Sequence, residues 1–233
     1  MSMRALLVLL LFASLCAADL RTERTEISWT GKLPKKTRDE LSKELGAKSN
    51  LPLMVYVTQV AKTQDQERFD NVVNNIAQFR LATKFFECVQ ISLPTAKDSV
   101  FLEGIKIKAP AILVFSSDRA KYKIVAGRPS AMKAYTIMRR IGQPAWDSNM
   151  KETLRKAKVL LGTYDQIDDA QNAIDIKRRR FDDAASKGEK ATAKALKRDL
   201  DKDIKKRAKH LRKTDKSWDE LWKLKRRTPK KKP

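Results

Sequence analysis

The chain has 233 residues, which is enough for one compact domain with an accessory segment. It carries 51 Lys and Arg residues against 28 Asp and Glu residues, a formal net charge of +23. A chain this basic is attracted to polyanions and repelled by other cations. Its partners are therefore restricted to nucleic acid, anionic lipid, acidic cell-envelope polymers or acidic proteins.

Residues 1–18 have the pattern of a secretory signal peptide. Arg4 precedes an apolar run from Ala5 to Leu15, which is shorter than the about 20 residues that span a bilayer. Small residues then precede Asp19, as a cleavage site requires. We expect an exported protein, periplasmic, secreted or in the endoplasmic reticulum lumen, with no transmembrane segment after signal removal; an N-terminal membrane anchor is the alternative.

Residues 19–50 form a polar N-terminal extension, in which Thr37 to Leu45 is predicted to be a short helix. The nearly continuous apolar run Leu51 to Val57 predicts a strand that is buried on both faces. A helix is predicted to follow it, because Thr63 and Gln66 have the spacing of a capping box. Its buried face is predicted to contain the apolar residues Phe69, Val72, Val73, Ile76 and Phe79.

Residues 51–141 are predicted to have the element order β-α-β-α-β-β-α. After the first strand and helix come a strand at Phe85 to Ile91 and a short helix at Ser99 to Gly104. A strand pair, Ala111 to Phe115 and Tyr122 to Val125, precedes a helix from Ser130 to Ile141. This last helix is predicted to bury Met132, Tyr135 and Met138.

This element order, with the strand Ala-Pro-Ala-Ile-Leu-Val-Phe at residues 109–115 and Val-Ala-Gly at residues 125–127, resembles the thioredoxin-like fold family. The resemblance covers about 90 residues and implies an α/β fold with a mixed sheet and flanking helices. It also implies a cis bond between Ala109 and Pro110; a trans Pro that opens an edge strand is the alternative.

The chemistry of that family does not carry over to this chain. Thiol–disulfide exchange needs a reactive thiolate and a second, resolving thiol, and the loop before the first long helix contains no Cys. In that family, the backbone beside the cis-Pro receives an extended peptide, and a non-catalytic member can retain this groove as a binding site. Its candidate residues here are Ala61, Lys62, Thr63, Gln64, Ala109 and Pro110.

Residues 142–213 are predicted to form a basic antiparallel helical hairpin, because apolar residues recur every three or four positions on both sides of Ser186-Lys187-Gly188. Residues 151–233 hold 28 Lys and Arg against 14 Asp and Glu, and so carry +14 of the net charge. Residues 214–233 form a basic amphipathic tail, with Trp218, Leu221 and Trp222 on a last short helix. Its end, from Lys223 to Pro233, is predicted to be disordered.

No catalytic, cofactor-binding or metal-binding constellation is evident in the sequence. Cys88 is the single Cys that remains after signal removal, so an intrachain disulfide is excluded. It is either a buried small hydrophobe or a one-thiol redox site. The one His, His210, stands among Lys and Arg without metal-ligand spacing. The acidic group Asp165, Asp168 and Asp169 is interpreted as a solvated face that balances the cations of the partner helix.

Three runs of positive charge are candidate polyanion-binding residues: Arg178, Arg179 and Arg180; Lys205, Lys206 and Arg207; and Lys225, Arg226 and Arg227. Alternatively, they only solubilise the helices and pair internally. The leading hypothesis is a non-catalytic interaction or scaffold protein whose basic tail docks to a protein or to an anionic envelope or lipid surface. Export disfavours nucleic acid as the partner. The other hypotheses are a thiol-linked redox protein acting through Cys88 and a simple polyanion-binding protein.

Overall fold

The computed structural model describes residues 19–30, 32–45, 51–127 and 130–227. The predicted signal peptide, 1–18, and residues 228–233 of the predicted disordered end lie outside the described residues. The chain divides into two compact units. The α/β unit contains residues 25–158 and the described residues after 220, and the helical unit contains residues 19–24 and 159–220.

The α/β unit contains five strands, whose bounds are β1 Trp29–Thr30, β2 Leu53–Thr58, β3 Glu87–Ser92, β4 Ala111–Phe115 and β5 Tyr122–Ala126. Its helices are α2 Arg38–Leu45, α3 Gln64–Asn75, α4 Ala77–Thr83, α5 Leu93–Lys97 and α6 Ala131–Gly142. Single 3-10 turns lie at Val100–Leu102 and Gln143–Ala145. The sequence prediction of an α/β class with flanking helices is confirmed.

The five strands form one mixed sheet in the order β1-β3-β2-β4-β5. Strands β1 and β2 pair with β3 in parallel, whereas β2–β4 and β4–β5 are antiparallel pairs. Strands β2 and β4 are buried almost throughout, which their continuous apolar sequences require. The predicted cis bond between Ala109 and Pro110, immediately before β4, is present.

Several local predictions are wrong. The helix predicted through Phe79 is interrupted at Ile76, whose backbone is extended, so α3 and α4 are separate helices. Two Asn residues, which are weak helix formers, end α3 and favour the break. Met132 was predicted to be buried but is 63% exposed, because it lies on the outer face of α6. The helix predicted at Ser99 to Gly104 is only a 3-10 turn, and β1 was not predicted.

The helical unit contains the predicted hairpin. Its arms belong to helix α7, Met150–Ser186, and helix α8, Lys190–Leu221. Gly188 has a φ of 72° in the connecting turn, a conformation that glycine adopts without steric cost. Helix α8 continues unbroken to Leu221, so the separate short helix predicted around Trp218 is not formed.

Helix α1, Leu20–Thr25, packs on the hairpin through polar contacts. The Leu20 backbone N–H donates to the Asp168 carboxylate at 3.0 Å, and Arg21 pairs with Asp165 at 2.8 Å. Helix α1 thus supplies partners that the sequence did not predict, while the charge of Arg207 on the partner helix also favours the ionised form of Asp168, as predicted for that residue. A polar extension contributes part of this unit.

The segment after α8 returns to the α/β unit. A β-bridge joins Trp146 to Arg226, and the Asp147 N–H donates to the Lys225 carbonyl at 3.0 Å. The Arg227 N–H donates to the Ala145 carbonyl, also at 3.0 Å. The prediction of disorder from Lys223 onward is therefore wrong for 223–227. Among the described residues, no helix has the length and apolar character that would let it span a membrane.

Candidate functional site

The loop that joins β2 to α3 contains Ala61, Lys62 and Thr63 of the predicted groove. It carries Val60, Ala61 and Lys62, all exposed, and no Cys. Thr63 ends the loop as the N-cap of α3, and its hydroxyl accepts from the Gln66 N–H at 3.2 Å. The predicted cap is confirmed.

Gln66, which is 5% exposed, anchors the loop from below. Its amide oxygen accepts from the Gln59 N–H at 2.7 Å, and its amide nitrogen donates to the Tyr56 hydroxyl at 2.6 Å and to Asp70 at 3.0 Å. The predicted capping box is thus altered, because the Gln66 side chain passes Thr63 and reaches Gln59. The Tyr56 hydroxyl donates to Asp70 at 2.7 Å. Burial, and then this hydrogen bond, raise the pKa of Tyr56 above its ordinary value.

The same loop contacts the cis-Pro segment. The Gln59 side chain donates to the Ala109 carbonyl at 2.6 Å and accepts from the Thr63 hydroxyl. Ala109 is half-buried and Pro110 is buried, whereas Gln64 is exposed. The structure therefore brings the loop part of the predicted groove beside Ala109. The backbone carbonyl there already has a partner from within the chain, so an incoming peptide would have to share or displace Gln59.

Val60 is the most exposed large apolar side chain that the structure describes, at 79%. It stands on a loop that is held at Gln59 by hydrogen bonds to Gln66 and Ala109, and at its other end by the Thr63 cap. A single exposed apolar side chain is ordinary for a protein surface, so the exposure of Val60 does not by itself identify a partner. The alternation of polar and apolar residues gave no signal for Val60, because the residue lies outside any helix or strand.

Cys88 lies in β3 and is 4% exposed. Its thiol contacts the Thr83 carbonyl at 3.6 Å. Burial raises the pKa of the Cys88 thiol to about 12, so the thiolate is absent at neutral pH. Both properties argue against the redox hypothesis, which requires an accessible thiolate.

The three predicted basic clusters differ in setting. Arg178, Arg179 and Arg180 are exposed on α7, and Lys205 and Lys206 are exposed on α8. Arg207 is half-buried, and its Nε donates to the Ile167 carbonyl at 3.3 Å. The third cluster, Lys225 to Arg227, belongs to the α/β unit, where Arg227 pairs with Asp147 at 3.2 Å.

Helix α8 carries a longer basic surface than the sequence prediction identified. Seven exposed cations recur every three or four residues along one face, and we call them the cationic stripe: Lys202, Lys205, Lys206, Lys209, Arg212, Lys213 and Lys216. The stripe is about 21 Å long, from the helical rise of about 1.5 Å per residue. The buried residues of α8, Leu200, Thr214 and Trp218, lie on the opposite face. The recurrence of lysines every three or four residues is the feature of the sequence from which the stripe could have been predicted.

Two acidic residues lie between the ends of the stripe; Lys177 first, and then the charges of Lys206 and Lys202, lower the pKa of one of them, Asp203. Asp203 pairs with Lys177 of α7. Asp215 accepts from the Tyr164 hydroxyl and from Arg24, each at 2.8 Å. Both carboxylates are thus bound by groups outside the stripe. Within the described part of the chain, none of the seven cations forms an ion pair.

Within 19–30, 32–45, 51–127 and 130–227, no group of three or more His, Cys, Asp or Glu side chains is placed to hold a metal ion. His210 is exposed on α8. Comparison with known proteins gives no match to the chain among protein-family models, curated proteins or solved structures.

Proposed function

We propose that this protein is an exported interaction protein. In this proposal, a thioredoxin-like α/β domain without redox chemistry is attached to an anionic surface through a basic helical hairpin. The observation that carries the proposal is the cationic stripe of α8. Its seven charges are exposed, and the two carboxylates that lie between its ends, Asp203 and Asp215, are bound by groups outside it.

Three observations support the non-catalytic thioredoxin-like part of the proposal. From β2 to α6, the elements follow the order β-α-β-α-β-β-α if α3 and α4 are taken as one interrupted helix. The loop between β2 and α3 has no Cys. The single described Cys is buried, with a raised pKa. A domain with these features offers surfaces for contact rather than a reactive thiol.

The chemistry of the stripe favours an extended anionic surface over a single shaped binding site. Six of its seven members are Lys residues, which are compact, hydrated charges on flexible stems. No aromatic side chain belongs to the stripe, so neither base stacking nor insertion into a bilayer contributes along it. A surface of anionic lipid attracts each nearby Lys or Arg by about 1 kcal/mol without requiring a matched shape.

The test compares two variants that lose the same charge. One replaces four stripe lysines by Gln: Lys202, Lys205, Lys209 and Lys213. The matched control replaces four exposed lysines of the α/β unit by Gln: Lys97, Lys106, Lys121 and Lys123. Binding is measured by co-sedimentation with phosphatidylcholine vesicles that contain phosphatidylglycerol.

The stripe variant is expected to bind at least about tenfold more weakly than the wild type, since four cations at about 1 kcal/mol each supply the attraction. The control variant is expected to bind within about twofold of the wild type, because its four lysines do not belong to the stripe. Equal losses in the two variants would show that only net charge matters and would refute docking through the stripe.

The contact between Gln59 and the Ala109 carbonyl, which brings the loop beside Pro110, favours a second candidate role in which the loop and this segment contact a partner protein. The test is NMR titration with a permanently unfolded, carboxymethylated protein. Shifts are expected in the amide signals of residues 59–64. Gln59→Ala is expected to strengthen binding, because it frees the Ala109 carbonyl. Unshifted signals in both proteins would eliminate this role.

A further inference from the structure

The helical unit contains a cavity of about 260 Å³ between α7 and α8. An apolar cavity of about 150 Å³ is large enough to bind benzene, whereas pockets for drug-sized ligands begin near 300 Å³. The cavity therefore suits a small ligand or the first part of a longer one. It is open to solvent, and all of its lining residues belong to the helical unit: Ile167, Ala170, Ala173, Ile174, Asp203, Lys206, Arg207 and His210.

The cavity exists because the side chains on its two sides leave the space unfilled. On α7, Ala170 and Ala173 contribute only methyl groups. On α8, Lys206 and Arg207 have long side chains, whose charged ends remain in water rather than filling an apolar space. The accessible apolar surface of the cavity is that of the exposed Ala170 and Ala173, and the neighbouring Ile167 and Ile174 are buried, at 1% and 2% exposed.

The polar part of the lining is cationic. Lys206 and Arg207 line the cavity together with one carboxylate, that of Asp203, which Lys177 binds, and the charge of Arg207 also favours the ionised form of the nearby Asp168. The Arg207 side chain is held at the cavity because its Nε donates to the Ile167 carbonyl at 3.3 Å. A guanidinium has five N–H donors, and within the described chain the other four make no hydrogen bond. The cavity thus combines an apolar floor with unused cationic donors at its rim.

We propose that this cavity binds a single-headed anionic amphiphile, in which one carboxylate or phosphate group is carried on an alkyl chain. The head group lies against Arg207, Lys206 and His210, and the first part of the chain lies on Ala170 and Ala173, next to the buried Ile167 and Ile174. This site goes beyond the proposed docking function. It concerns one bound molecule and does not require attachment to a surface.

The test uses octanoate and octyl phosphate as probes, at concentrations below micelle formation, with octanol as the neutral analogue. Binding to the full chain is followed by NMR of the Ile methyl groups. Saturable shifts are expected at Ile167 and Ile174, with either anion binding at least about tenfold more tightly than octanol. The ratio of the two anions identifies the preferred head group. Equal binding of octanol, or unshifted Ile methyl signals, would overturn the proposal.

Two neighbouring lysines provide matched variants. Lys206→Gln removes a charge at the cavity and is expected to weaken octanoate binding at least about fivefold. Lys205→Gln removes the same charge one residue away, where the side chain does not line the cavity, and is expected to change binding less than about twofold. Equal weakening of octanoate binding by the two substitutions would show that only the overall charge matters, and this result would overturn the proposal.

Ala170→Leu fills the cavity and is expected to abolish the saturable shifts. If this variant does not fold, the Lys206 and Lys205 pair decides the question alone. Methyl shifts that depend on protein concentration instead of probe concentration would show that a second copy of the chain covers the cavity. That result would also overturn the proposal.

Discussion

Replacing Gln66 by Leu tests whether its side chain anchors the loop between β2 and α3. The substitution keeps the approximate volume and deletes three hydrogen bonds, to the Gln59 N–H, the Tyr56 hydroxyl and Asp70. Each such bond contributes about 0.5–1.5 kcal/mol net, so the expected loss is about 3 kcal/mol. The helix cap is unaffected, because Thr63 accepts from the Gln66 backbone N–H. A loss of this size lowers Tm by about 6–12 °C.

Thermal unfolding and amide hydrogen exchange measure the effect of Gln66→Leu. The Gln59 amide is expected to exchange at least about tenfold faster in the variant, because its acceptor is gone. The control is Asn71→Leu, on the same helix, where the residue is exposed and its side chain bonds only to Asn75. This control is expected to cost less than about 0.5 kcal/mol. Unchanged Gln59 exchange in Gln66→Leu would refute the anchoring role.

Three further outcomes follow from local geometry. Gly142→Ala would place a Cβ 2.5 Å from the Cζ atom of the buried Phe86 ring, and denaturant unfolding is expected to show a loss of about 1–3 kcal/mol. Gly162→Ala, inside α7 with open space around the position, is expected to gain about 0.5–1 kcal/mol in the same assay; a loss would refute the account of that position. Burial raises the pKa of Cys88 to about 12. At about pH 9 the folded protein is therefore expected to show neither thiolate absorbance nor alkylation, whereas the unfolded protein is expected to show both. Rapid alkylation of the folded protein would contradict the burial.

The predictable part of the fold was the part with strong periodicity. The apolar runs of β2 and β4 and the three-or-four spacing in α7 and α8 each correspond to an observed element. Strand β1 has only two residues, Trp29 and Thr30, and its pairing with β3 depends on residues far away in sequence. The pattern of polar and apolar residues around Trp29 and Thr30 therefore does not predict this pairing.

The candidate sites show the same division between local and long-range information. The basic runs on α7 and α8 were visible as sequence clusters, but the stripe depends on which carboxylates are bound elsewhere. Asp215 is held by Arg24 and Tyr164, at sequence separations of 191 and 51 residues. The contact between Gln59 and the Ala109 carbonyl, which alters the predicted groove, likewise spans 50 residues. Neither contact has a signature in the surrounding sequence.

The most direct test of the central claim is a salt titration of wild-type binding to vesicles with and without phosphatidylglycerol. The Debye length falls from about 30 Å at 0.01 M salt to about 3 Å at 1 M, so attraction between the stripe and an anionic surface is screened progressively. The account predicts binding to the anionic vesicles alone, strong at low salt and lost at high salt. Binding that persists at high salt, or that is equal on purely phosphatidylcholine vesicles, would contradict electrostatic docking.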